Sequence, residues 1–169
     1  VANHAHYKLD SDSPGYFGRA AVMQSFSAVT AACLIIKKAI YEEVGGLNEA
    51  DLQVAFNDVD FCLRVREAGY RNVWTPYAVL YHHESASRGI ENTPEKQARF
   101  ASEVSFMMNR WSDVLLNDPA YNPNLTLEYH EASFNLAWPP RVELLGDEPV
   151  GLEDVPENRL DKALILVDR

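Results

Sequence analysis

The 169-residue sequence predicts an α/β domain, and three observations carry that expectation. Residues 28–36 are apolar, β-branched or small on both faces, as in a buried strand. Residues 58–68 follow an amphipathic helical period, end at Gly69 and lead into two short strand candidates, 72–74 and 78–81, on either side of Pro76. A second, longer helical pattern opens at Thr93-Pro94-Glu95.

Apolar residues make up 47% of the chain and charged residues 24%, the balance of a globular protein. This length buries one ordinary core, so one domain with a tail is the expected count. The longest apolar run, 28–36, is about half a membrane span and is interrupted by Thr30, so no membrane span is expected. Residues 1–12 are polar and rich in histidine and carry no signal pattern. A net charge of −10 argues against nonspecific nucleic-acid binding and against docking on anionic lipid. A nucleotide ligand needs only a few local cations or a metal and stays open. Cys33 and Cys62 lie in apolar segments and read as reduced, buried thiols rather than a disulfide. The compartment that follows is the cytoplasm, including the inner face of the membrane.

Along the chain, residues 1–20 carry turn residues without a sustained period and read as loop. Residues 37–44 read as a two-turn helix with Ile40 and Val44 on one side, stopped by Gly45-Gly46. In 58–68, Phe61, Val65 and Ala68 form a stripe that Val59, Cys62 and Leu63 widen, leaving Arg64, Arg66 and Glu67 to face water. The helix that opens at Thr93 carries Phe100, Val104, Met108 and Trp111 at apolar spacing, so it is expected to run to about Trp111. That stripe is packing surface and not a cofactor box. Beyond Asp118 the chain is loop-like, with Pro119, Pro123, Pro139 and Pro140. Residues 142–161 are acidic and rich in breakers, as a linker is. Residues 162–169 hold a bare apolar run ending in Asp168, the pattern of a first strand of a following α/β domain. No internal repeat is evident.

The chemistry concentrates in two stretches. Residues 56–70 set Asp58 and Asp60 at a helix mouth, and residues 75–83 end in His82-His83. A carboxylate at a helix mouth with an imidazole at a strand end can put a general base beside a metal. At i and i+2 the two acids cannot share a helix face, so one can enter a cleft while the other caps or pairs. The bland alternative is that both are first-turn acids favoured by the helix dipole. Two adjacent histidines on a strand point to opposite faces, so at most one can serve the same site. His4, His6 and His130 have no partners at ligand spacing, and a zinc centre is not expected. Residues 85–89 offer hydroxyls, Arg88 and a glycine hinge, which suits a loop closing over phosphates.

As an ordered set these pieces resemble the C-terminal half of a family 2 glycosyltransferase domain of the GT-A fold, of the bacterial surface-polysaccharide, rhamnosyltransferase-like type. The match runs from Val29-Thr30-Ala31-Ala32-Cys33-Leu34 through Gly45-Gly46-Leu47-Asn48-Glu49, Asn57-Asp58-Val59-Asp60 and Gly69-Tyr70-Arg71. It continues through Pro76, Ala78 and His82 to Ser85 and Ser87-Arg88-Gly89, and on to Asp118-Pro119-Ala120-Tyr121-Asn122-Pro123-Asn124-Leu125. It covers roughly residues 15–141. The resemblance implies a partial GT-A (Rossmann-like) fold, a mixed short sheet with flanking helices that lacks the N-terminal nucleotide-binding half. Residues 1–141 would then be the acceptor-side part of the domain, followed by the 142–161 linker and the 162–169 strand.

The resemblance also implies roles. Asp58 matches the general base that takes the proton from an acceptor hydroxyl, and Asp60 the next acid, structural or acceptor-facing. His82 matches the histidine that completes a Mg²⁺ or Mn²⁺ site in the intact enzyme. Ser87 and Arg88 lie where a mobile loop approaches the diphosphate, and Thr30, Ala32, Gly45 and Gly46 line the acceptor and donor-sugar floor. The partners implied are a nucleotide-sugar donor and a saccharide acceptor, and the reaction is an inverting hexosyl transfer. Departures are Asn57 where Glu is usual, Ala31 where Gly is usual and Leu47-Asn48 where Phe-Asp is usual. The Asp-x-Asp metal motif of the N-terminal half has no counterpart, since Asp10-Ser11-Asp12 runs into a Ser-Pro-Gly loop. The expectation is therefore a fragment of a larger enzyme, inactive alone. The competing expectation is a non-catalytic module that binds a carbohydrate or a partner, with a homodimer formed through the face left exposed by the missing half. Metal-dependent hydrolysis at His82-His83-Glu84 is disfavoured because the ligand spacing suits a strand poorly.

Overall fold

Helix α2 (Asn57–Glu67) is covered on three sides at once, and the rest of the fold is arranged around it. The computed structural model describes residues 1–2, 4–6, 9–82, 93–127 and 135–138, with the backbone of 163–166. On one side of α2, Cys62 packs with Val29 and Trp74, flanked by Phe26, Ala28 and Leu34. On another, Leu63 packs with Leu52, Met107 and Trp111 from the long helix that follows. On the third, the Phe61 ring meets Tyr41 at 5.4 Å between centroids. Each large side chain fully buried here contributes about 1.5–3 kcal/mol of transfer free energy.

The remaining elements are β1 (Gln24–Phe26), β2 (Leu34–Ile35), α1 (Lys38–Glu43), β3 (Arg71–Trp74), α3 (Pro94–Leu116) and β4 (Ala163–Leu166). They form a mixed α/β structure whose sheet has the order β1-β3-β4-β2. β1 runs antiparallel to β3, with Gln24 opposite Trp74 and Phe26 opposite Asn72. β4 lies parallel to β3 and antiparallel to β2. The apolar run near the C-terminus is thus a strand, set between β3 and β2 in this same sheet.

Asn72, at 0% exposure, binds sheet to helix: its amide nitrogen donates to the carbonyls of Ser27 at 2.9 Å and Cys62 at 3.1 Å. Ser27 also accepts from Arg66 and donates its hydroxyl to Asp118. Through that network the Asp118 segment is fixed to α2, and Asp118 in turn accepts from the Ala120 amide at 2.8 Å. Arg66 therefore does not face water as its helical position suggested, and neither does Arg64, described below. Glu67 is exposed.

Residues 28–36 are not one strand. Thr30 accepts the amide of Ala32 at 3.2 Å and caps a 3-10 turn over Ala31–Cys33, leaving only Leu34–Ile35 extended. A hydroxyl that bonds its own backbone two residues on competes with a sheet ladder, and here it wins. Cys33 is in consequence half-buried, whereas Cys62 is buried, and both thiols are free. Residues 78–81 are not a strand either. Thr75 Oγ1 accepts from the Tyr77 amide at 3.3 Å, which turns the chain at Pro76. Val79, Leu80 and Tyr81 follow exposed. The first 20 residues, read as loop, include a 3-10 segment at Tyr16–Ala21.

Thr93 caps α3 by accepting from the Lys96 amide, with Pro94 in the first turn, as its sequence predicts. The helix continues past Trp111 to Leu116, although Trp111 itself leaves helical geometry at φ −122° and ψ 16°. Its buried stripe is Glu103, Met107 and Trp111. Phe100 and Met108, two of the four apolar residues expected inside, are exposed, so the helix is rotated by about one residue from the predicted face. No helix among the described residues is long and apolar enough to cross a membrane.

Candidate functional site

Asp58 stands in the first turn of α2, and its two carboxylate oxygens have different tasks. Oδ1 accepts the Val59 amide of its own helix at 2.9 Å. Oδ2 accepts the Ala31 amide at 3.0 Å, across 27 positions of sequence. The Thr30-capped turn exists just where it can offer that amide. Thr30 and Ala32 flank the contact, so three of the sequence-predicted residues, Thr30, Ala32 and Asp58, are brought together. Each oxygen retains a second lone pair, which a proton donor could use.

The backbone entering this turn is held in an uncommon shape. Phe56 has φ 62° and ψ 4°, left-handed geometry that a non-glycine residue adopts only when its surroundings fix it. Its carbonyl accepts the Asp60 amide at 2.9 Å, and its ring lies 5.6 Å from that of Phe100.

Asp60 turns the other way, as a carboxylate two residues on must. It is 0% exposed and has protein partners on both oxygens. Oδ2 accepts Arg64 Nε at 2.8 Å, and Oδ1 accepts Trp111 Nε1 at 2.8 Å with Arg110 Nε at 3.7 Å. The same Arg64 guanidinium donates to the carbonyls of Val44 and, at 2.6 Å, Gly46. Asp60 is thus joined through Arg64 to the Gly45-Gly46 turn, a second grouping of predicted residues. It is a latch between α1, α2 and α3. Gly45, Leu47, Asn48, Glu49 and the two arginines Arg64 and Arg110 line an open cleft of about 360 Å³ beside that latch.

Both glycines of the turn have positive φ. At Gly46 the requirement is also steric, because an added Cβ would meet the Tyr41 hydroxyl at 2.9 Å.

Under the Asp58 turn lies Cys62, whose thiol donates to the Val29 carbonyl at 3.5 Å. Burial pushes this thiol up to about 12, and the nearby Asp58 charge adds a smaller upward push. It is a packing group and not a nucleophile.

His82 is exposed at the end of the irregular segment that follows Pro76, and it is not on a strand. Ser87 and Arg88, with His83, lie outside the described residues. Among the described residues, no three His, Cys, Asp or Glu side chains gather to hold a metal ion. The single imidazole of His82 falls short of a ligand set for Mg²⁺ or Mn²⁺.

Sequence reasoning missed Glu103, Arg64 and Trp111 as parts of this region. Glu103 is 1% exposed and accepts the amides of Val54 at 2.8 Å and Ala55 at 3.2 Å. Its one sequence signal is position: an acid spaced three residues after Phe100 and four before Met107, within the buried stripe.

Comparison with known proteins gives likenesses that each cover only part of the relative. An uncharacterized protein, y4gI, of Sinorhizobium fredii is 60% identical over 131 residues, which are 78% of this chain and 14% of that protein. The O-antigen biosynthesis protein RfbC of Myxococcus xanthus is 37% identical over 111 residues, 66% of this chain and 8% of that protein. An N-acetylglucosaminyl-diphospho-decaprenol L-rhamnosyltransferase of Mycobacterium tuberculosis is 29% identical over 84 residues, 50% of this chain and 27% of that enzyme. The chain therefore spans about a quarter or less of the length of these relatives. No family model matches it, and neither does any solved structure. The chain is thus distantly and partially similar to a rhamnosyltransferase and to an O-antigen biosynthesis protein.

Proposed function

We propose that the chain is the acceptor-side part of an inverting, metal-dependent glycosyltransferase, which moves a sugar from a nucleotide-sugar donor to a saccharide or polysaccharide acceptor. The observation that carries this reading is the Asp58 carboxylate, held at the mouth of α2 by the Ala31 amide, half-buried and with lone pairs left for an incoming hydroxyl. The likeness to a rhamnosyltransferase and to an O-antigen biosynthesis protein supports it. So does the order of the sequence segments around Asp58.

In this reading the acceptor hydroxyl gives its proton to Asp58 while its oxygen attacks the anomeric carbon of the donor sugar. The bond from that carbon to the diphosphate oxygen breaks, the electron pair leaves with the nucleoside diphosphate, and the configuration inverts. Charge grows on the departing phosphate, and Arg88 with Ser87 is proposed to meet it. Thr30, Ala32 and the Gly45 cleft form the floor beside the reacting groups, and Asp60 keeps that floor in register with α2. His82 is proposed as one ligand of a Mg²⁺ or Mn²⁺ ion whose remaining ligands would come from a longer protein.

The test is turnover by a longer protein that carries this segment together with a nucleotide-binding half. Incubated with nucleotide-sugar and saccharide acceptor, it is expected to release nucleoside diphosphate and to form a glycoside of inverted configuration, read by NMR of the anomeric proton. Retained configuration, or no diphosphate release with any donor, contradicts the proposal.

A second reading has one observation of its own. Tyr77, Val79, Leu80 and Tyr81 form an exposed apolar run. Such a run suits a contact with another domain or a second copy. Light scattering of this chain that gives a monomer mass at all concentrations removes the self-association half of that reading.

A further inference from the structure

We propose that Glu103 is a positioning residue for Asp58, an inference that rests on the reading of Asp58 as the base. Two hydrogen bonds and the short backbone from Val54 to Asp58 connect them. Glu103 sits on α3, buried, and takes the amides of Val54 and Ala55 on separate carboxylate oxygens. Arg99, one turn earlier, lies 3.8 Å from one of those oxygens. The next residue, Phe56, is the left-handed one, and its ring is held against Phe100 of the same helix. Two residues on is Asp58, whose Oδ2 takes the Ala31 amide.

The physical logic lies in the left-handed step. Phe56 would relax toward ordinary backbone if its flanks were free, and relaxation would rotate the first turn of α2 and swing Asp58 off Ala31. A buried carboxylate bonded to two consecutive amides is a strong, directional clamp on the residues just before that step. The Phe56–Phe100 contact clamps the step itself. Helix α3 thereby sets the direction of the Asp58 carboxylate without Glu103 touching a reacting atom. A small misplacement of a base costs rate more than it costs binding.

Two variants test this. Glu103→Gln keeps the shape but turns one oxygen into an NH₂ group, which cannot accept an amide proton. In this chain, the NMR shift of the Ala31 amide is expected to move in the direction that Asp58→Ala moves it, with the fold retained. In the longer protein, kcat is expected to fall by about 10- to 100-fold with KM held within about twofold. An Ala31 shift unchanged in a folded Glu103→Gln chain overturns the inference, as does an unchanged kcat when Asp58→Asn is inactive. If Glu103→Gln does not fold, Phe56→Asn reads the same clamp. Asn tolerates the left-handed backbone but lacks the ring, so the Ala31 shift should again move, and a fixed shift overturns the proposal. Full activity of Asp58→Asn would instead overturn the reading of Asp58 as base, leaving the Ala31 shift to decide the clamp alone.

Discussion

The indole of Trp111 donates to Oδ1 of Asp60 at 2.8 Å, joining two residues 51 positions apart. That bond ties the far part of α3 to the first turn of α2, at the one residue where α3 leaves helical geometry. The Asp60 carboxylate accepts it while paired with Arg64, so burial of the charge is offset by two strong donors. Because the latch holds three helices together, its loss is felt as stability.

Asp60→Ala strips the half-buried Arg64 guanidinium of its carboxylate partner and is expected to cost about 3–5 kcal/mol in urea unfolding. Trp111→Phe removes one donor and keeps most of the packing, and is expected to cost about 1.5–3 kcal/mol. Both should lower the midpoint without changing the denaturant slope. An Asp60→Ala loss below about 1 kcal/mol, the range of exposed ion pairs, would show that the latch is not structural.

The two thiols are expected to differ in reactivity. Near neutral pH an alkylating reagent should label Cys33, which is half-buried, and leave Cys62 unmodified until the chain unfolds. The Cys62 thiol also carries a pH signature. Its pKa is raised in the folded state, so the neutral form that folding favours is present in both states below the ordinary value of 9.0, and stability there does not depend on it. As pH rises from 9.0 toward about 12 the unfolded chain ionises first, and stability falls. Cys62→Ala should flatten that alkaline loss. Equal alkylation of both cysteines in the native chain would contradict the assignment.

His82 is open to a calorimetric test. In a longer protein with a nucleotide-binding half, titration with UDP, dTDP and GDP is expected to give binding that depends on Mn²⁺. His82→Ala should weaken that binding by at least about 10- to 100-fold, the loss typical of removing even an outer partner of a metal ligand. The same affinity and the same metal dependence in His82→Ala would remove this residue from the metal site.

What could be read from the sequence was what depends on near neighbours. The α2 period and its stop at Gly69, the Thr93-Pro94 start of α3 and the Gly45-Gly46 turn are local patterns, and each is found in place. The strand character of 163–166 was likewise legible from its composition, although its partners were not. Residues 28–36 misled because their apolar letters conceal a Thr30 hydroxyl that diverts the backbone into a turn. The α3 face was misjudged by one residue because a buried Glu103 outranks the apolar Phe100 and Met108. Its partners, Val54 and Ala55, lie 49 and 48 positions away. Arg64 and Arg66 looked like a solvated face for the same reason, since carbonyls at 44 and 46 and a serine at 27 are invisible to helical periodicity. The candidate base was visible as a first-turn acid. Its contact with Ala31 was not.

The proton transfer proposed for Asp58 is tested by kcat of Asp58→Asn in a longer protein that carries this segment and transfers sugar. Asn has nearly the same shape, so the fold should persist, while loss of a general base should lower kcat by about 10²- to 10⁴-fold. A folded Asp58→Asn enzyme that keeps more than about half of the original kcat would contradict that claim, because such a loss is far smaller than removal of a general base produces.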